Sequence, residues 1–281
     1  MGVSLCRRAL VSAHIVRFAA MMSIGLLMAC SKDPVELGPA DYRGAVTATA
    51  CATHARIGQG GVHDDEKTGG GIRYSVRTPS NYDPSVGHPL LVVYAGAGHT
   101  RAASERFTGF TRAATAAGFI VAYADHRRLS TAVLNDLATI PAALAKKWCI
   151  DVDRIFLTGH SDGGTAAAAM AFRADDGLEP AGIAASAAGV TGADLAGYQC
   201  PHNLKVMILH SRDDELFPGV GADAALWWAR CKQCDIAGAQ DIDGCVLYGR
   251  CVGDASVRYC EGRGGHRKWP AINDAILDFF R

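Results

Sequence analysis

Short apolar segments alternate with helix-like segments over most of this chain, and that alternation restricts the folds open to it. The apolar segments do not alternate with polar residues, which indicates strands buried on both faces. Strands are predicted at Ile72–Arg77, Leu90–Tyr94, Phe119–Ala124, Arg154–Thr158, Gly182–Ala187, Lys205–His210 and Ser256–Tyr259. Helices are predicted between them, at Ala102–Ala117, Thr131–Trp148, Gly163–Arg173, Ala222–Cys231 and Ala271–Phe280. This order predicts an α/β fold with a mostly parallel central sheet and helices on both faces.

Composition and charge are those of a globular protein without an excess of either sign. Of 281 residues, 49% are hydrophobic and 20% are charged, and 28 basic residues balance 28 acidic ones. Because no long run of one sign occurs, nucleic acid is not an expected partner. No repeat or interdomain linker is visible, so one domain is predicted over residues 63–281, preceded by a tether and N-terminal segment at residues 30–62. Residues 237–253 are predicted to form a disulfide-stapled insertion before the last strand.

The N-terminal residues have the pattern of an export signal. Arg7, Arg8 and Arg17 precede a short apolar stretch, Phe18–Ala29, which is followed by Cys30. A transmembrane helix would need about 20 apolar residues, so a signal peptide over residues 1–29 is the better interpretation. The residues that lead into Cys30 are similar to the lipobox of bacterial lipoproteins. A lipid anchor at Cys30 and ordinary secretion both stay open, and either predicts an exported protein: an outer-membrane or periplasmic lipoprotein, or a secreted one.

Cysteine usage indicates the same oxidising compartment. Cys6 lies in the predicted signal and Cys30 follows it, which leaves Cys51, Cys149, Cys200, Cys231, Cys234, Cys245, Cys251 and Cys260. An even set of thiols in an exported protein predicts disulfides. If all pair, at least one bond must join the cluster from Cys231 to Cys260, which has an odd number of members, to the earlier chain. A zinc site at Cys231 and Cys234 is the competing interpretation; no second pair with that spacing follows, and no metal is predicted.

A serine stands between glycines where a predicted strand becomes a predicted helix, in Gly159-His-Ser161-Asp-Gly163-Gly164. Such a sharp turn forces the serine into a strained backbone conformation and requires small neighbours, so that the hydroxyl is held at the carboxyl edge of the sheet. A bare G-x-S-x-G occurs by chance, and a glycine-rich structural turn is the alternative. The strand before it and the helix after it favour Ser161 as a nucleophile.

A serine nucleophile needs a histidine base that is oriented by an acid, and in this type of site the order along the chain is serine, acid, histidine. Asp213 and Asp214 follow the late strand Lys205–His210, and His266 follows the last strand. His266 is the predicted base. Three other histidines come near the same edge and have blander roles open to them, in shaping the turn, touching substrate or facing solvent: His99, His126 and His160.

An oxyanion needs two N–H donors that converge on one point. The backbone amide of Asp162, directly after the nucleophile, is one predicted donor. The second is predicted in the small-residue loop Ala95–Thr100, with Ala97 preferred and Gly96 next to it. A simple turn would have the same composition.

These residues resemble exported α/β-hydrolases that include polyhydroxybutyrate depolymerase-like esterases and bacterial feruloyl esterases. The resemblance covers about Ile72 to Pro270 and includes the elbow and the Gly-Gly-His266 ending. It implies Asp214 as the acid, because the family's loop has the form His-Gly-x-x-Asp-x-x-Val-Pro. Two features depart from the family pattern: an extra residue between His266 and the Trp-Pro pair, and Ala95 where the family has histidine before the oxyanion glycine.

The resemblance implies a serine carboxylic-ester hydrolase that works through an acyl-enzyme, without a cofactor. Its expected substrates are small-molecule or polymer esters, either hydroxycinnamoyl esters or short poly(3-hydroxyalkanoate) esters. Trp269 and His160 are predicted to contact substrate, whereas Trp227 and Trp228 lie on a helix where core packing is expected of at least one. The alternative is a catalytically silent surface lipoprotein that binds a glycan or a partner, and a peptidase of the same fold also stays open. The sequence leaves the oligomeric state undetermined.

Overall fold

Ten strands form one continuous sheet in the residues that the computed structural model describes, 34–43, 58–173, 179–242 and 244–281. They are β1 (Val62–Lys67), β2 (Arg73–Arg77), β3 (His88–Tyr94), β4 (Ile120–Ala124), β5 (Ile150–His160), β6 (Gly182–Ser186), β7 (Lys205–Ser211), β8 (Asp235–Ile242), β9 (Cys245–Gly249) and β10 (Ser256–Gly262). The spatial order is β1-β2-β4-β3-β5-β6-β7-β10-β9-β8. In this spatial order the six neighbouring strands β4, β3, β5, β6, β7 and β10 are parallel. The outer strands β1, β2, β9 and β8 pair antiparallel with their neighbours. The predicted mostly parallel sheet is therefore confirmed.

Helices cover both faces of this sheet. In the described residues they are α1 (Arg101–Thr108), α2 (Thr111–Ala116), α3 (Thr131–Ala145), α4 (Asp162–Met170), α5 (Gly192–Leu195), α6 (Val220–Cys231) and α7 (Asn273–Phe280). Helices α3, α4 and α6 contribute buried side chains to one apolar cluster, and α2 and α7 contribute to a second on the opposite face. None of these helices combines the length and apolar character that crossing a bilayer requires.

Strand β3 shows why the central strands read as continuous apolar runs. Leu90 and Val92 point into the first cluster, while Leu91 and Val93 point into the second. Successive side chains of a strand face opposite sides of the sheet, so a strand with helices above and below needs apolar residues at every position.

Strands β1, β8 and β9, the short helix α5 and one helix break lie outside the predicted strands and helices. The predicted helix Ala102–Ala117 is divided into α1 and α2 by Gly109, which adopts a left-handed φ of 64° and ends α1. Strand β1 is polar and partly exposed, as edge strands often are, so it carries no apolar signal. The predicted insertion at residues 237–253 instead contains most of β8 and all of β9, which pair antiparallel and extend the sheet beyond β10.

Disulfides fix the β8–β10 edge. Cys245 and Cys260 lie opposite each other on β9 and β10 and are bonded, as are Cys234 and Cys251. A third bond joins Cys200 to Cys231, which confirms that the late cysteines are linked to the earlier chain. Cys149 is also disulfide-bonded. Because Cys231 and Cys234 belong to separate disulfides, they do not form the metal pair that their spacing allows.

The ordered contacts begin upstream of the predicted domain boundary at residue 63. Val35 to Arg281 form one compact unit. The amide of Gly38 donates to Thr115 Oγ1 at 2.7 Å, and the backbone of Ala40 exchanges two hydrogen bonds with the Asn81 side chain. The predicted signal peptide at residues 1–29, Cys30 and Cys51 lie outside the described residues.

Candidate active site

Ser161 occupies the turn between β5 and α4 and has a strained backbone. Its φ is 57° and its ψ is −121°, a conformation that residues with a side chain rarely adopt. The surrounding structure holds it there: the Ser161 amide donates to Ser186 O at 2.9 Å, and Thr165 N donates to Ser161 O at 2.9 Å. The turn therefore presents the Ser161 hydroxyl at the carboxyl edge of the sheet.

The glycines around Ser161 are required by close backbone packing. A Cβ atom at Gly163 would lie 2.0 Å from the Tyr94 carbonyl oxygen, and one at Gly159 would lie 2.5 Å from the backbone of Gly163. At Gly164 it would lie 2.5 Å from Ser186 O. Side chains at these positions would push α4 away from β3 and β6, so the elbow exists only with glycine at all three.

Ser161, His266 and Asp214 form a hydrogen-bonded row. His266 Nε2 lies 2.9 Å from Ser161 Oγ, and His266 Nδ1 lies 2.9 Å from Asp214 Oδ2. Asp214 and His266 are buried, and Ser161 is partly exposed. The three side chains come from the ends of β5, β7 and β10, which the parallel sheet brings to one edge. The nucleophile, base and acid predicted from sequence are thus in mutual contact.

Asp214 is held as a carboxylate. Burial alone would favour its neutral form, but the hydrogen bonds from His266 and from the backbone amides of Phe217 and Leu216 outweigh burial and keep the pKa of Asp214 below its usual value. Both amides donate to Oδ1 at 2.9 Å, which leaves Oδ2 to face His266. The neighbouring Asp213 is exposed, and its carboxylate has no hydrogen bond or ion pair within the part of the chain that the structure describes.

The loop that carries His266 is fixed by backbone contacts. The amide of His266 donates to Glu215 Oε2 at 3.1 Å, and the amide of Gly265 donates to Ser211 Oγ at 3.2 Å. The carbonyl oxygen of His266 lies 2.6 Å from His160 Nε2. The loop after β7 therefore positions both the acid and the backbone of the base.

The ring of His160 makes hydrogen bonds to the backbone of His266 and to the side chain of Ser186. Its Nε2 donates to His266 O, and its Nδ1 lies 3.0 Å from Ser186 Oγ, a tautomer assigned from these partners. Both ring nitrogens are therefore engaged, and His160 offers a substrate no free polar atom. A substrate could therefore contact His160 only through the apolar surface of its ring. The centroid of this ring lies 5.1 Å from that of Phe107.

Buried His160 should make the fold sensitive to acid. Burial lowers the pKa of His160 from about 6.5 to about 4. As pH falls through this window the unfolded chain binds a proton that the folded protein does not, so the free energy of unfolding should fall by on the order of 3 kcal/mol. Urea unfolding between about pH 7 and pH 4 measures this slope. His160→Gln should show a shallower slope, and equal slopes would contradict the assignment.

The two predicted oxyanion donors flank Ser161. The amide of Asp162 is at the first position of α4, where backbone N–H groups lack partners within the helix. Ala97 is exposed, and within the described residues no hydrogen bond engages its amide. The loop lies against the elbow, because a Cβ at Gly96 would be 3.0 Å from His160 O and 3.8 Å from Ser161 Cβ. Both amides are therefore available at the edge that carries Ser161.

His126 contacts both donor segments, a role that the sequence did not single out. Its Nε2 lies 2.9 Å from Asp162 Oδ2, and its Nδ1 lies 3.2 Å from the amide nitrogen of Gly98. The ring centroid of His99 lies 5.4 Å from that of Phe107. The sequence signal for His126 is its place two residues after a strand that ends at the site edge.

An open groove of about 640 Å³ lies beside the His266 loop. The predicted substrate contact Trp269 lines it, with its Nε1 donating to Asn273 Oδ1 at 2.8 Å. The other side chains include one aromatic ring and two cations: Phe107, Arg267 and Lys268. A more enclosed cavity of about 380 Å³ lies behind the same loop, and Ser161 lines neither this cavity nor the open groove. Trp228 is buried in the core, whereas Trp227 is partly exposed.

The described residues contain no group of three or more His, Cys, Asp or Glu side chains arranged to hold a metal ion.

Solved structures of similar architecture are hydrolases. Acetyl xylan esterase from Aspergillus awamori aligns with a TM-score of 0.61 and 17% identity over 79% of this chain and 99% of that one. The fluorophosphonate-binding serine hydrolase F of Staphylococcus aureus aligns at 0.55 and 15% identity, over 80% and 100% of the two chains. The Bacillus cereus carboxylesterase aligns at 0.53 and 13% identity, over 74% and 93%.

No protein-family model matches the chain, and no curated protein matches it in sequence. At identities this low, the structural likeness establishes the fold alone. The chain has the α/β-hydrolase fold, as the sequence predicted.

Proposed function

We propose that this protein is a serine carboxylic-ester hydrolase that works through an acyl-enzyme. The observation that carries the proposal is the hydrogen-bonded row from Ser161 Oγ through His266 to Asp214, placed at a strained elbow. The fold, which is that of several esterases, supports it.

Acylation begins with Ser161 and His266. His266 Nε2 accepts the hydroxyl proton as Ser161 Oγ forms a bond to the carbonyl carbon of the ester. Asp214 accepts the hydrogen bond from Nδ1–H, which fixes the tautomer and stabilises the imidazolium. The proton then passes from Nε2 to the leaving alkoxide as the ester C–O bond breaks, so the alcohol departs and the acyl group stays on Ser161.

The amides of Asp162 and Ala97 hold the negative oxygen that forms at the carbonyl. The helix that begins at Asp162 adds the positive end of its dipole. Ala95, which replaces the family's histidine before the oxyanion glycine, is buried and contributes no polar side chain to this hole. The hole is therefore made of backbone donors.

Deacylation uses the same groups with water. His266 takes one proton from water, the water oxygen bonds to the acyl carbon, and the bond to Ser161 Oγ breaks. The proton on His266 returns to Ser161 Oγ, which releases a carboxylic acid and regenerates the serine. No cofactor enters either half.

A covalent probe tests the nucleophile independently of the substrate. A fluorophosphonate should add once to the folded protein, with loss of fluoride, and peptide mass mapping should place the adduct on Ser161. Urea-unfolded protein, in which His266 is no longer beside Ser161, is the control and should not react. An absence of adduct, or an adduct elsewhere, would favour the catalytically silent alternative.

The substrate class is proposed to be hydroxycinnamoyl esters or short poly(3-hydroxyalkanoate) esters. The groove beside His266 supports the first, since Phe107 and Trp269 offer rings against which an aromatic acyl group can pack. Comparing kcat/KM for methyl ferulate and for 3-hydroxybutyrate oligomers separates the two. A preference for the oligomers would assign the groove to the polymer chain instead.

We also propose that the protein works outside the cytoplasm. The described disulfides fit an extracellular or periplasmic protein. The signal peptide at residues 1–29 and the lipid anchor at Cys30 belong to the same proposal and rest on the sequence.

A further inference from the structure

His126 lies between the two segments that carry the oxyanion donors. It lies two residues after the end of β4 and is mostly buried, with 16% of its side chain exposed. On one side its Nε2 lies 2.9 Å from the carboxylate of Asp162. On the other side Gly98, the residue after Ala97, donates its amide to His126 Nδ1 at 3.2 Å. The His126 imidazole therefore contacts Asp162, whose amide is one predicted donor, and Gly98, which follows the other donor Ala97.

The end of β4 fixes the same loop at two further points. The amide of His126 donates to His99 O at 3.0 Å, and the amide of Arg101 donates to Asp125 Oδ1 at 2.6 Å. The Arg101 guanidinium also pairs with Asp125 at 3.2 Å. Asp125 and His126, just after β4, thus bond three residues beyond Ala97, namely Gly98, His99 and Arg101. Within the described residues the amide of Ala97 itself has no hydrogen-bond partner.

The hydrogen-bond partners assign the tautomer of His126. A backbone N–H can only donate, so the Nδ1 that receives Gly98 N–H must be unprotonated. Nε2 then carries the proton and donates to Asp162. The opposite tautomer would lose both contacts, so the two bonds act as one unit.

We propose that His126 is a positioning residue, one that sets the separation and direction of the Asp162 and Ala97 amides by binding both segments. The inference rests on the proposed function, because those amides matter only if an oxyanion forms. His126 does not touch the reacting atoms, and its effect should appear where negative charge develops on the carbonyl oxygen.

Three substitutions divide the contacts of His126. His126→Ala removes both, His126→Asn keeps an acceptor for Gly98 N–H, and His126→Gln keeps a donor for Asp162. With p-nitrophenyl acetate, kcat of His126→Ala should fall about 10- to 100-fold, less than the 10²- to 10³-fold loss of a whole donor. The Asn and Gln variants should fall between Ala and wild type, and KM should change by less than about threefold.

A thionoester comparison separates positioning from general damage. Sulfur is a weaker hydrogen-bond acceptor than oxygen, so the hole contributes less to the hydrolysis of p-nitrophenyl thionoacetate. The ratio of oxoester to thionoester kcat should therefore fall several-fold in His126→Ala. The exposed-histidine control His202→Asn should keep the wild-type kcat and ratio. Urea unfolding checks each variant, and the Asn and Gln variants carry the test if the Ala variant does not fold.

The outcomes distinguish this inference from the function on which it rests. If Ser161→Ala is inactive but the folded His126 variants keep the wild-type kcat and ratio, the positioning role is wrong and the esterase proposal stands. An equal loss with both esters also overturns positioning, because damage to the whole site would produce it. If wild type and Ser161→Ala hydrolyse the esters equally, both proposals fail.

Discussion

Ser161→Ala should lower kcat for p-nitrophenyl acetate by up to about 10⁶-fold, the loss seen on removing the nucleophile of a serine protease. The reason is that, among the described residues, Ser161 Oγ is the hydrogen-bond partner of His266 Nε2, at 2.9 Å. Alanine removes only the hydroxyl, so the elbow and the oxyanion amides should stay in place. Initial rates, corrected for spontaneous hydrolysis, measure the effect.

Ser104→Ala is the matched control for this substitution. Ser104 is buried in α1, and within the described residues its side chain has no hydrogen bond to Ser161, His266 or Asp214. It should keep nearly the wild-type rate. If Ser161→Ala retains more than about a hundredth of the wild-type kcat, Ser161 is not the nucleophile and the acyl-enzyme mechanism must be abandoned.

Asp214→Asn should lower kcat by about 10⁴-fold, the effect of this change in another triad enzyme. Asparagine keeps the shape of the side chain but loses the charge that stabilises the imidazolium, and its amide can present an N–H to His266 Nδ1. The wrong tautomer of His266 would then face Ser161. Steady-state kinetics measure kcat, and far-UV circular dichroism checks that the variant is folded.

Asp213→Asn provides the comparison within the same loop. Asp213 is exposed and, of the two aspartates, Asp214 is the one bonded to the His266 ring, so kcat should change by less than about threefold. A large loss at Asp213 with an unaffected Asp214→Asn would move the acid by one residue. That result would also contradict the hydrogen bonds that place Asp214 Oδ1 on the amides of Leu216 and Phe217.

The sequence predicted the parts of the fold that repeat a simple pattern. Central strands such as β3 are buried on both faces, and this leaves an apolar run that can be recognised. Strand β1 and the β8–β9 pair lie at the two ends of the sheet, where few of their described residues are buried. These strands form by pairing with neighbouring strands, and the sequences of β1 and β8 contain no apolar run that would identify them.

The same distinction applies to the site. Ser161 and His266 follow from local motifs and chain order, whereas the choice of Asp214 over Asp213 rests on the resemblance of their loop to a family pattern. His126 and Glu215 act through contacts made across the fold, with Asp162 and with the backbone of His266. No local pattern encodes those contacts, so only the three-dimensional arrangement reveals them.

Ser161, Asp214 and His266 are far apart in the sequence, so they come together only when the sheet that carries them is complete. His266 comes 105 residues after Ser161 and 52 residues after Asp214, beyond the end of β10. A chain that has not yet added β10 to the sheet has a serine but no base beside it. Pairing parallel strands across long connections is slow. If Ser161, His266 and Asp214 act as proposed, turnover requires β10 in the sheet, so turnover recovered after refolding would count native molecules and not merely collapsed ones.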